Sequence, residues 1–303
     1  LGAIHGQWDW NNGAVLPSQE YCTKFYNRTV ELINKFKPDL IYFDDSVMPL
    51  YPISDAGFQI AAHLYNDSAS RNGGVNQAVM TGKVLSREDQ DMLTWDVERG
   101  VPHYINEEPW QTCTCLGTWH YERGIYDRDG YKSPRMVVHM LVDIVSKNGN
   151  LLLSVPLRGD GSIDDKCLAI VSEVGKWLDV HGEAIYGTRP WVIYGEGPAM
   201  AEVAELRAQG FNEGAGRPFS PSDFRFTTKG DVLYAIAMGW PEETVRIEAL
   251  GRNAGNLKGE IAGVEMLGSD ETLQWEQTDE ALVIQAPSNK VSELAVAFKV
   301  TTK

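Results

Sequence analysis

The sequence predicts an α/β region built on a parallel sheet, followed by an antiparallel β region, and three observations carry this prediction. Helical and strand patterns alternate up to about residue 187. The strand candidates of this part are short runs of apolar residues, which is typical of parallel strands buried on both faces. From about residue 190, short segments alternate between polar and apolar residues and are separated by Gly, Asn and Asp.

The first helix and strand lead directly to an acidic residue. Ser18 can cap a helix whose apolar residues recur at helical spacing from Cys22 to Phe36. The apolar run Leu40-Ile41-Tyr42-Phe43 follows and is predicted to be a strand. It ends at Asp44, so this carboxylate is expected just beyond the carboxyl end of a buried strand.

The next helix and strands follow the same order. A helix is expected to start at Ser54 and to stop at the glycines that begin with Gly73. Val75 to Met80 is the next strand candidate, and Met92 to Val97 is a weaker one that ends at Glu98.

The helix and strand signals are clearest in the last part of the α/β region. Ser133 precedes a helix with a good stop at Asn148, Leu151 to Val155 is a buried strand candidate, and a helix from Asp164 or Asp165 runs to His181. About four strands are predicted, whereas a closed barrel of this class needs eight strands and about 250 residues. We therefore expect the C-terminal half of a (β/α)-barrel-type catalytic domain, with its N-terminal portion absent.

The remaining sequence predicts an antiparallel β-sandwich. Period-two strands are expected at Val232–Met238, Val245–Ala249 and Leu294–Val300, and Gly195–Pro221 is predicted to be a linker or long loop. The predicted domains are residues 1–190 for the barrel part and 191–303 for the β-sandwich.

Charge and composition exclude several classes of function. The 303 residues carry 27 basic and 42 acidic side chains, a net charge of −15. This balance argues against binding to nucleic acid or to an anionic membrane, and no apolar run approaches the roughly 20 residues of a membrane span.

Cys113 and Cys115 lack a second pair, and the six histidines lack metal-ligand spacing, so neither a metal nor a cofactor is expected. The cysteines are expected to be free thiols, and no signal indicates a compartment.

Asp44 is the strongest single candidate for chemistry. In α/β barrels the active site lies at the carboxyl ends of the strands, where this residue is expected. An aspartate that merely caps a helix or lies in a loop is the equally weighted alternative from position alone.

A second group of polar and aromatic residues lies between Trp95 and Tyr121, where a long functional loop is expected. Glu98, Glu107 and Glu108 are its candidate acids. A retaining glycosidase needs two carboxylates about 5–5.5 Å apart, and Asp44 with one of these glutamates would meet that need if the strand ends converge.

Several stretches resemble one family, the α-L-fucosidases of glycoside hydrolase family 29. The residues that carry the resemblance are 37–45, 109–113, 119–121, 141–153, 159–161 and 182–188. It covers roughly residues 18–190. The C-terminal part resembles the family's β-sandwich domain only in its pattern of short alternating strands, and not in a specific motif.

The resemblance implies a retaining α-L-fucosidase acting on a fucosylated glycan without a cofactor. Asp44 is its implied nucleophile, and Glu98 is the implied acid/base, with Glu107 and Glu108 as alternatives. The implied substrate-binding residues are Tyr42, Trp110, Trp119 and His120, and Trp119 would pack on the C6 methyl group of fucose.

Two departures from the family pattern lead to alternatives. The family's N-terminal barrel strands with their histidines are expected to be missing, and the strand end at Val75–Ala78 lacks an arginine found in some members. One alternative is a non-catalytic remnant that binds carbohydrate or assembles with itself. Because a half barrel exposes strand edges, a homo-oligomer is one expectation for this chain. A glycosidase for another sugar such as galactose is a second, and a metal-dependent hydrolase is a disfavoured third.

Overall fold

The computed structural model describes residues 16–44, 48–201, 206, 213 and 217–303. Its helices are α1 (Gln19–Phe36), α2 (Ala56–Arg71), α3 (Arg123–Asp127), α4 (Pro134–Val145) and α5 (Asp165–His181). Its strands are β1 (Leu40–Ile41), β2 (Val79–Gly82), β3 (Thr94–Glu98), β4 (Trp110–Cys115), β5 (Gly149–Ser154), β6 (Arg189–Glu196), β7 (Phe224–Lys229), β8 (Val232–Ala237), β9 (Val245–Ile247), β10 (Ile261–Met266), β11 (Trp275–Gln277), β12 (Leu282–Ile284) and β13 (Val296–Thr302). None of the helices in these ranges has both the length and the apolar character needed to cross a membrane.

The first part of the chain forms half of a (β/α)-barrel, as predicted. Strands β1 to β5 follow one another in chain order within one sheet, and β1, β2 and β3 pair in parallel. The chain forms two compact units, one with the described residues up to Val97 plus Glu108–Gln111, and one with Glu98–Glu107 and the described residues from Thr112 to Lys303. The boundary predicted at residue 190 stays a prediction.

The helix starts agree with the sequence because the expected caps form. The side chain of Ser18 accepts a hydrogen bond from the backbone N–H of Tyr21 at 3.1 Å, and Ser133 caps α4 in the same way. Asp164 accepts the backbone N–H of Cys167 at 2.8 Å at the start of α5. Each cap satisfies a backbone donor that a helix start otherwise leaves unpaired.

The first two strands differ from the prediction. Strand β1 contains only Leu40 and Ile41, so the predicted strand was too long at its carboxyl end. Strand β2 begins at Val79 rather than Val75, because the Asn76 side chain hydrogen-bonds both the N–H and the C=O of Ala78. It then continues to Gly82, past the predicted end at Met80.

The long loop expected between Trp95 and Tyr121 is wrong in part, because Trp110–Cys115 forms strand β4. All six of its residues are buried, although the polar side chains of Gln111, Thr112 and Thr114 are among them. Those side chains have hydrogen-bond partners, so burial costs them little. Hydrophobic patterning cannot detect a strand of this kind.

The C-terminal region is an antiparallel β-sandwich, as predicted. One sheet has the strand order β10-β13-β8-β7-β6, and the other has β11-β12-β9. Strand β8 is buried on both faces: Leu233 and Ala235 belong to the sandwich core, while Tyr234 and Ile236 pack with residues of α4 and α5. Of the predicted linker, residues 202–205, 207–212 and 214–216 lie outside the described residues, as does Asp45.

A buried ion cluster joins α4 to β7. Asp143 on α4 is within 2.8 Å of the Lys147 ammonium and also pairs with the guanidinium of Arg225 on β7. Burial disfavours a charged carboxylate, but these two cations outweigh that effect and hold the pKa of Asp143 below its usual value. Because each charge is compensated, the cluster fixes how the helix lies on the strand.

His181 ends α5 in an apolar environment. Its ring is fully buried, lies 5.1 Å from that of Trp177, and neither ring nitrogen has a hydrogen-bond partner within the described ranges. Burial lowers its pKa from 6.5 to about 4. In the unfolded chain this histidine takes up a proton near pH 6.5, so it contributes stability above that pH that is lost as the pH falls toward 4.

Replacing His181 by Phe should therefore remove part of the acid sensitivity of the fold. We expect the loss in unfolding free energy between pH 7.5 and 4.5 to shrink by up to about 3 kcal/mol, the value of a shift of this size. Urea unfolding at both pH values measures it. The matched control is His103→Phe at an exposed position, and equal acid sensitivity of His181→Phe and the parent chain would contradict the account.

Candidate active site

Asp44 lies just after β1, with its side chain 73% exposed. Its Oδ1 atom is 3.3 Å from the ammonium nitrogen of Lys83, the residue that directly follows β2. Because β1 and β2 are parallel neighbours, their carboxyl ends bring these two residues to the same edge of the sheet. An exposed carboxylate with an adjacent cation is a suitable group for meeting a ligand from solution.

A fully buried carboxylate, Asp96 on β3, lies behind this pair. The Lys83 ammonium is 2.9 Å from Asp96 Oδ2, and the Tyr42 hydroxyl donates to the same oxygen at 2.8 Å. The Gln111 amide of β4 donates to Asp96 Oδ1 at 2.7 Å. We call Tyr42, Asp44, Lys83, Asp96 and Gln111 the Asp96 cluster.

The charges of the Asp96 cluster depend on one another. Lys83 is only 10% exposed and lies between the buried carboxylate of Asp96 and the exposed one of Asp44. A buried charge is tolerated when it is paired and hydrogen-bonded, and Asp96 meets that condition for Lys83. The lysine ammonium also lies 6.0 Å from the centre of the Tyr42 ring. The cluster thus holds a positive charge beside Asp44.

Glu98 is the last residue of β3 and is half-buried. The next residue, Arg99, has a φ of 47°, in the left-handed region that residues other than glycine rarely adopt. Its backbone N–H donates to the carbonyl oxygen of Cys113 at 2.9 Å. The chain therefore turns sharply immediately after Glu98.

The Arg99 side chain enters a second ionic group, the Glu213 pocket, formed by Arg99, Thr114, Lys132 and Glu213. Glu213 Oε2 is 2.9 Å from both the Arg99 guanidinium and the Lys132 ammonium, and Oε1 accepts from the Thr114 hydroxyl. Lys132 also donates to the Cys115 carbonyl at 2.6 Å.

Burial within the Glu213 pocket opposes ionisation of Glu213, but the hydrogen bonds from Thr114, Lys132 and Arg99 and the charge of Lys132 outweigh it, so the pKa of Glu213 is lowered. The neighbouring thiol of Cys115 has a raised pKa because it is buried. Glu213 is thus an anion that binds two cations, which is the opposite of what a proton donor needs.

The other residues predicted for the site differ in exposure. Trp119 and His120 are exposed and follow β4, Glu107 is exposed, and Glu108 is half-buried. Trp110 has no exposed surface and packs on Trp95, with ring centres 6.1 Å apart. Any contact of Trp110 with a ligand would therefore be indirect.

Sequence reasoning missed Lys83, Asp96 and Gln111, and it also missed Arg99, Lys132 and Glu213. Lys83 could have been found, because it follows β2 as Asp44 follows β1, had the end of β2 been predicted correctly. No sequence pattern indicated Glu213, because it lies in a predicted linker 114 positions after Arg99. No group of three or more His, Cys, Asp or Glu side chains within the described ranges could hold a metal ion.

A half-barrel whose strands β1 to β3 are parallel, followed by an antiparallel β-sandwich, defines the fold class of the chain. Comparison of the sequence with known families gives the particular family. The family described as Alpha-L-fucosidase matches residues 4–183, and its C-terminal domain matches residues 219–303. The chain belongs to the α-L-fucosidase family.

Related proteins agree with this assignment. The chain is 25% identical to the tissue α-L-fucosidase of Rattus norvegicus over 94% of its length and 58% of the relative. It is 27% identical to the tissue α-L-fucosidase of Homo sapiens over 90% of its length and 53% of the relative. The chain thus spans little more than half the length of these relatives.

Solved structures share the fold. The α-fucosidase of Thermotoga maritima in complex with fucose has a TM-score of 0.68 at 23% identity, covering 98% of this chain and 60% of that one. The α-L-fucosidase isoenzyme 1 from Paenibacillus thiaminolyticus has a TM-score of 0.67 at 21% identity, covering 98% and 66%.

The buried charge of Asp96 yields a stability prediction. Asp96→Asn keeps the shape of the side chain but removes the buried counter-charge of Lys83, and we expect a loss of about 3–5 kcal/mol in unfolding free energy. Urea unfolding measures it. Asp127→Asn is the matched control, since Asp127 pairs with Arg123 at the surface and its loss should cost little. Equal stability losses in the two variants would contradict the role given to Asp96.

Proposed function

We propose that the protein is a retaining α-L-fucosidase that removes terminal α-L-fucose from glycans. The observation that carries the proposal is Asp44, exposed beyond a parallel strand and 3.3 Å from Lys83, in a chain of the α-L-fucosidase family. The relatives carry the names of α-L-fucosidases. Family membership favours this reaction over the other hydrolases, and the strand-end carboxylate supplies the chemical group that it needs.

In the proposed first step, a carboxylate oxygen of Asp44 attacks the anomeric carbon of the fucoside. The glycosidic C–O bond breaks as Glu98 donates its proton to the departing oxygen, leaving a fucosyl ester on Asp44. In the second step Glu98 takes a proton from water, the water oxygen attacks the anomeric carbon, and the ester bond breaks. The product is α-L-fucose, and Asp44 returns as a free carboxylate.

Lys83 is given a supporting role in this reaction. Its positive charge beside Asp44 complements the negative charge that the carboxylate carries before attack and regains when the ester is cleaved. Asp96, Tyr42 and Gln111 keep Lys83 in place by the hydrogen bonds of the Asp96 cluster. Tyr42 is therefore proposed to act in part through this cluster, beside its predicted contact with the sugar.

The exposed aromatic residues after β4 are proposed to receive the sugar. Trp119 would pack its ring on the C6 methyl group of fucose, and His120 would contact a hydroxyl group. Trp110 would support that surface from behind through its packing on Trp95. A preference for a fucoside over the corresponding L-galactoside would follow, because a hydroxymethyl group loses the apolar contact.

The role of Asp44 predicts a characteristic variant. Asp44→Gly should lower kcat on an aryl α-L-fucoside by at least about a thousandfold, because the nucleophile is gone. Added azide should restore turnover and yield β-L-fucosyl azide, since azide attacks from the face that Asp44 occupied. Initial-rate kinetics and NMR of the product measure both effects.

Two controls accompany that experiment. Asp39→Gly changes an aspartate that precedes β1 and should leave turnover and azide response unchanged. The aryl α-L-galactoside tests the competing sugar. Full activity of Asp44→Gly would refute Asp44 as nucleophile, and equal rates on both sugars would refute the assignment to fucose.

The choice of Glu98 as the acid/base is tested by the leaving group. Glu98→Gln should lower kcat/KM by about 10²- to 10⁴-fold for a fucoside with a poor leaving group, which needs the proton. A good aryl leaving group should be affected much less. Glu107→Gln and Glu108→Gln are the matched variants, and the same leaving-group dependence in either one would transfer the role away from Glu98.

A further inference from the structure

The loop between β1 and α2 presents three consecutive apolar side chains to solvent. Tyr51 is 44% exposed and Ile53 is 40% exposed, and Pro52 between them is exposed as well. Single apolar residues on a surface are ordinary, but adjacent ones form a patch of the kind that marks a binding surface. We call Tyr51, Pro52 and Ile53 the apolar tip.

The apolar tip has a well-packed support. Leu50 is buried in a cluster with Cys22 and Ala56, although its φ of 66° is in the left-handed region that residues other than glycine rarely adopt. Its carbonyl oxygen accepts the backbone N–H groups of Ile53 and Ser54 at 2.9 and 3.0 Å. Backbone strain of this kind persists only when surrounding contacts enforce it, and it is concentrated at ligand-binding and catalytic sites.

Helix α2 packs directly against the same loop. A Cβ atom at Gly57 would lie 2.9 Å from the Pro49 carbonyl oxygen and 3.0 Å from the Met48 Cβ atom, so this close approach requires glycine. The Tyr51 ring lies 5.6 Å from that of Phe58 on α2, at an interplanar angle of 85°. An edge-to-face contact fixes the Tyr51 ring and covers at most one of its faces, so an open ring face remains for a ligand.

The apolar tip belongs to the same edge of the sheet as Asp44. Its loop starts at the carboxyl end of β1, where Asp44 lies, and ends at the start of α2. Phe25 packs against the cluster around Leu50, and its ring centre is 5.8 Å from that of Phe43, which precedes Asp44. One aromatic ring therefore connects the support of the tip to the residue beside the proposed nucleophile. Barrel enzymes bind their substrates at this edge.

From this arrangement we infer that Tyr51 binds the part of the glycan beyond the scissile bond, with the apolar C–H face of a neutral sugar ring resting on the open face of the Tyr51 ring. The inference rests on the proposed function, because it takes Asp44 as the point at which the glycan is cleaved. Tyr51 is then a specificity-determining residue for the leaving group, and Pro52 and Ile53 border the same sugar.

The chemistry of the loop favours a neutral sugar as the occupant. The stretch 48–54 contains no charged residue, so nothing in it complements a sialic acid or a sulfate group. A stable protein interface takes about 800 Å² from each partner, which three side chains cannot supply. One aromatic ring, by contrast, matches the area of a single sugar ring.

The experiment compares Tyr51→Ser with the parent protein on α-L-fucosyl fluoride, whose leaving group is too small to reach Tyr51, and on three oligosaccharides. These are 2′-fucosyllactose, 3-fucosyllactose and 6-O-α-L-fucosyl-N-acetylglucosamine. For the oligosaccharide that the parent cleaves fastest, its kcat/KM relative to that of the fluoride should fall about tenfold in Tyr51→Ser. The loss should appear mainly as a higher KM, because the contact is the same in the ground state and the transition state.

Two variants control this comparison. Tyr51→Phe keeps the ring and should retain the parent ratio within about twofold. Phe36→Ser removes an aromatic side chain that is 68% exposed at the other end of α1 from Cys22, and it should leave the ratio unchanged. Reduced stability lowers the rates on both substrates and cancels in the ratio. An unchanged ratio in Tyr51→Ser, or an equal fall in Tyr51→Phe, would overturn the inference and leave the proposed function intact.

A second measurement does not depend on turnover. Saturation-transfer NMR of Asp44→Gly with the same oligosaccharides should show the C–H protons of the sugar next to fucose, and adding Tyr51→Ser should remove that signal while the fucose signal stays. A parent protein inert on every fucoside would defeat the proposed function, and this comparison would still decide the inference. The same leaving-group signal with and without Tyr51, or none in either protein, would overturn it.

Discussion

The buried carboxylate of Asp96 is the constraint on which the candidate site depends. A buried ion must be paired, and Asp96 is paired by Lys83 and hydrogen-bonded by Tyr42 and Gln111. Tyr42 follows β1, Lys83 follows β2 and Gln111 lies in β4. One carboxylate on β3 therefore fixes three neighbouring segments of the chain. Asp44 then receives its cation from this arrangement rather than from a mobile side chain at the surface.

The same physical principle recurs at the end of β3 and between α4 and β7. Glu213 binds Arg99 and Lys132, and Asp143 binds Lys147 and Arg225, in each case one carboxylate with two cations. Such groups contribute little net stability when complete, but removing one member leaves a buried charge without compensation. They therefore specify the local geometry of the segments that they join.

The sequence predicted the parts of the fold that depend on local signals. The starts of α1, α4 and α5 followed from capping residues, and the β-sandwich followed from period-two strands. Strand β4 was missed because its buried residues are largely polar and are satisfied by distant partners. Asp44 was found because its strand is apolar and short, whereas Lys83 was missed because Asn76 delays the start of β2 and the strand continues to Gly82.

The rest of the site could not be predicted because its contacts join residues far apart in the sequence. Asp96 meets Tyr42 from 54 positions away, and Glu213 meets Arg99 from 114 positions away. No periodicity or spacing rule contains such pairs. Resemblance to the family implied roles for Asp44 and Glu98, and the structure revealed the cation beside Asp44.

The most direct measurement of the central proposal is covalent trapping of the intermediate. Incubation with 2-deoxy-2-fluoro-L-fucosyl fluoride should form an ester that hydrolyses slowly, and mass spectrometry of peptides should find one fluorofucosyl group on Asp44. A label on another carboxylate, or none on a protein that hydrolyses α-L-fucosides, would contradict the account.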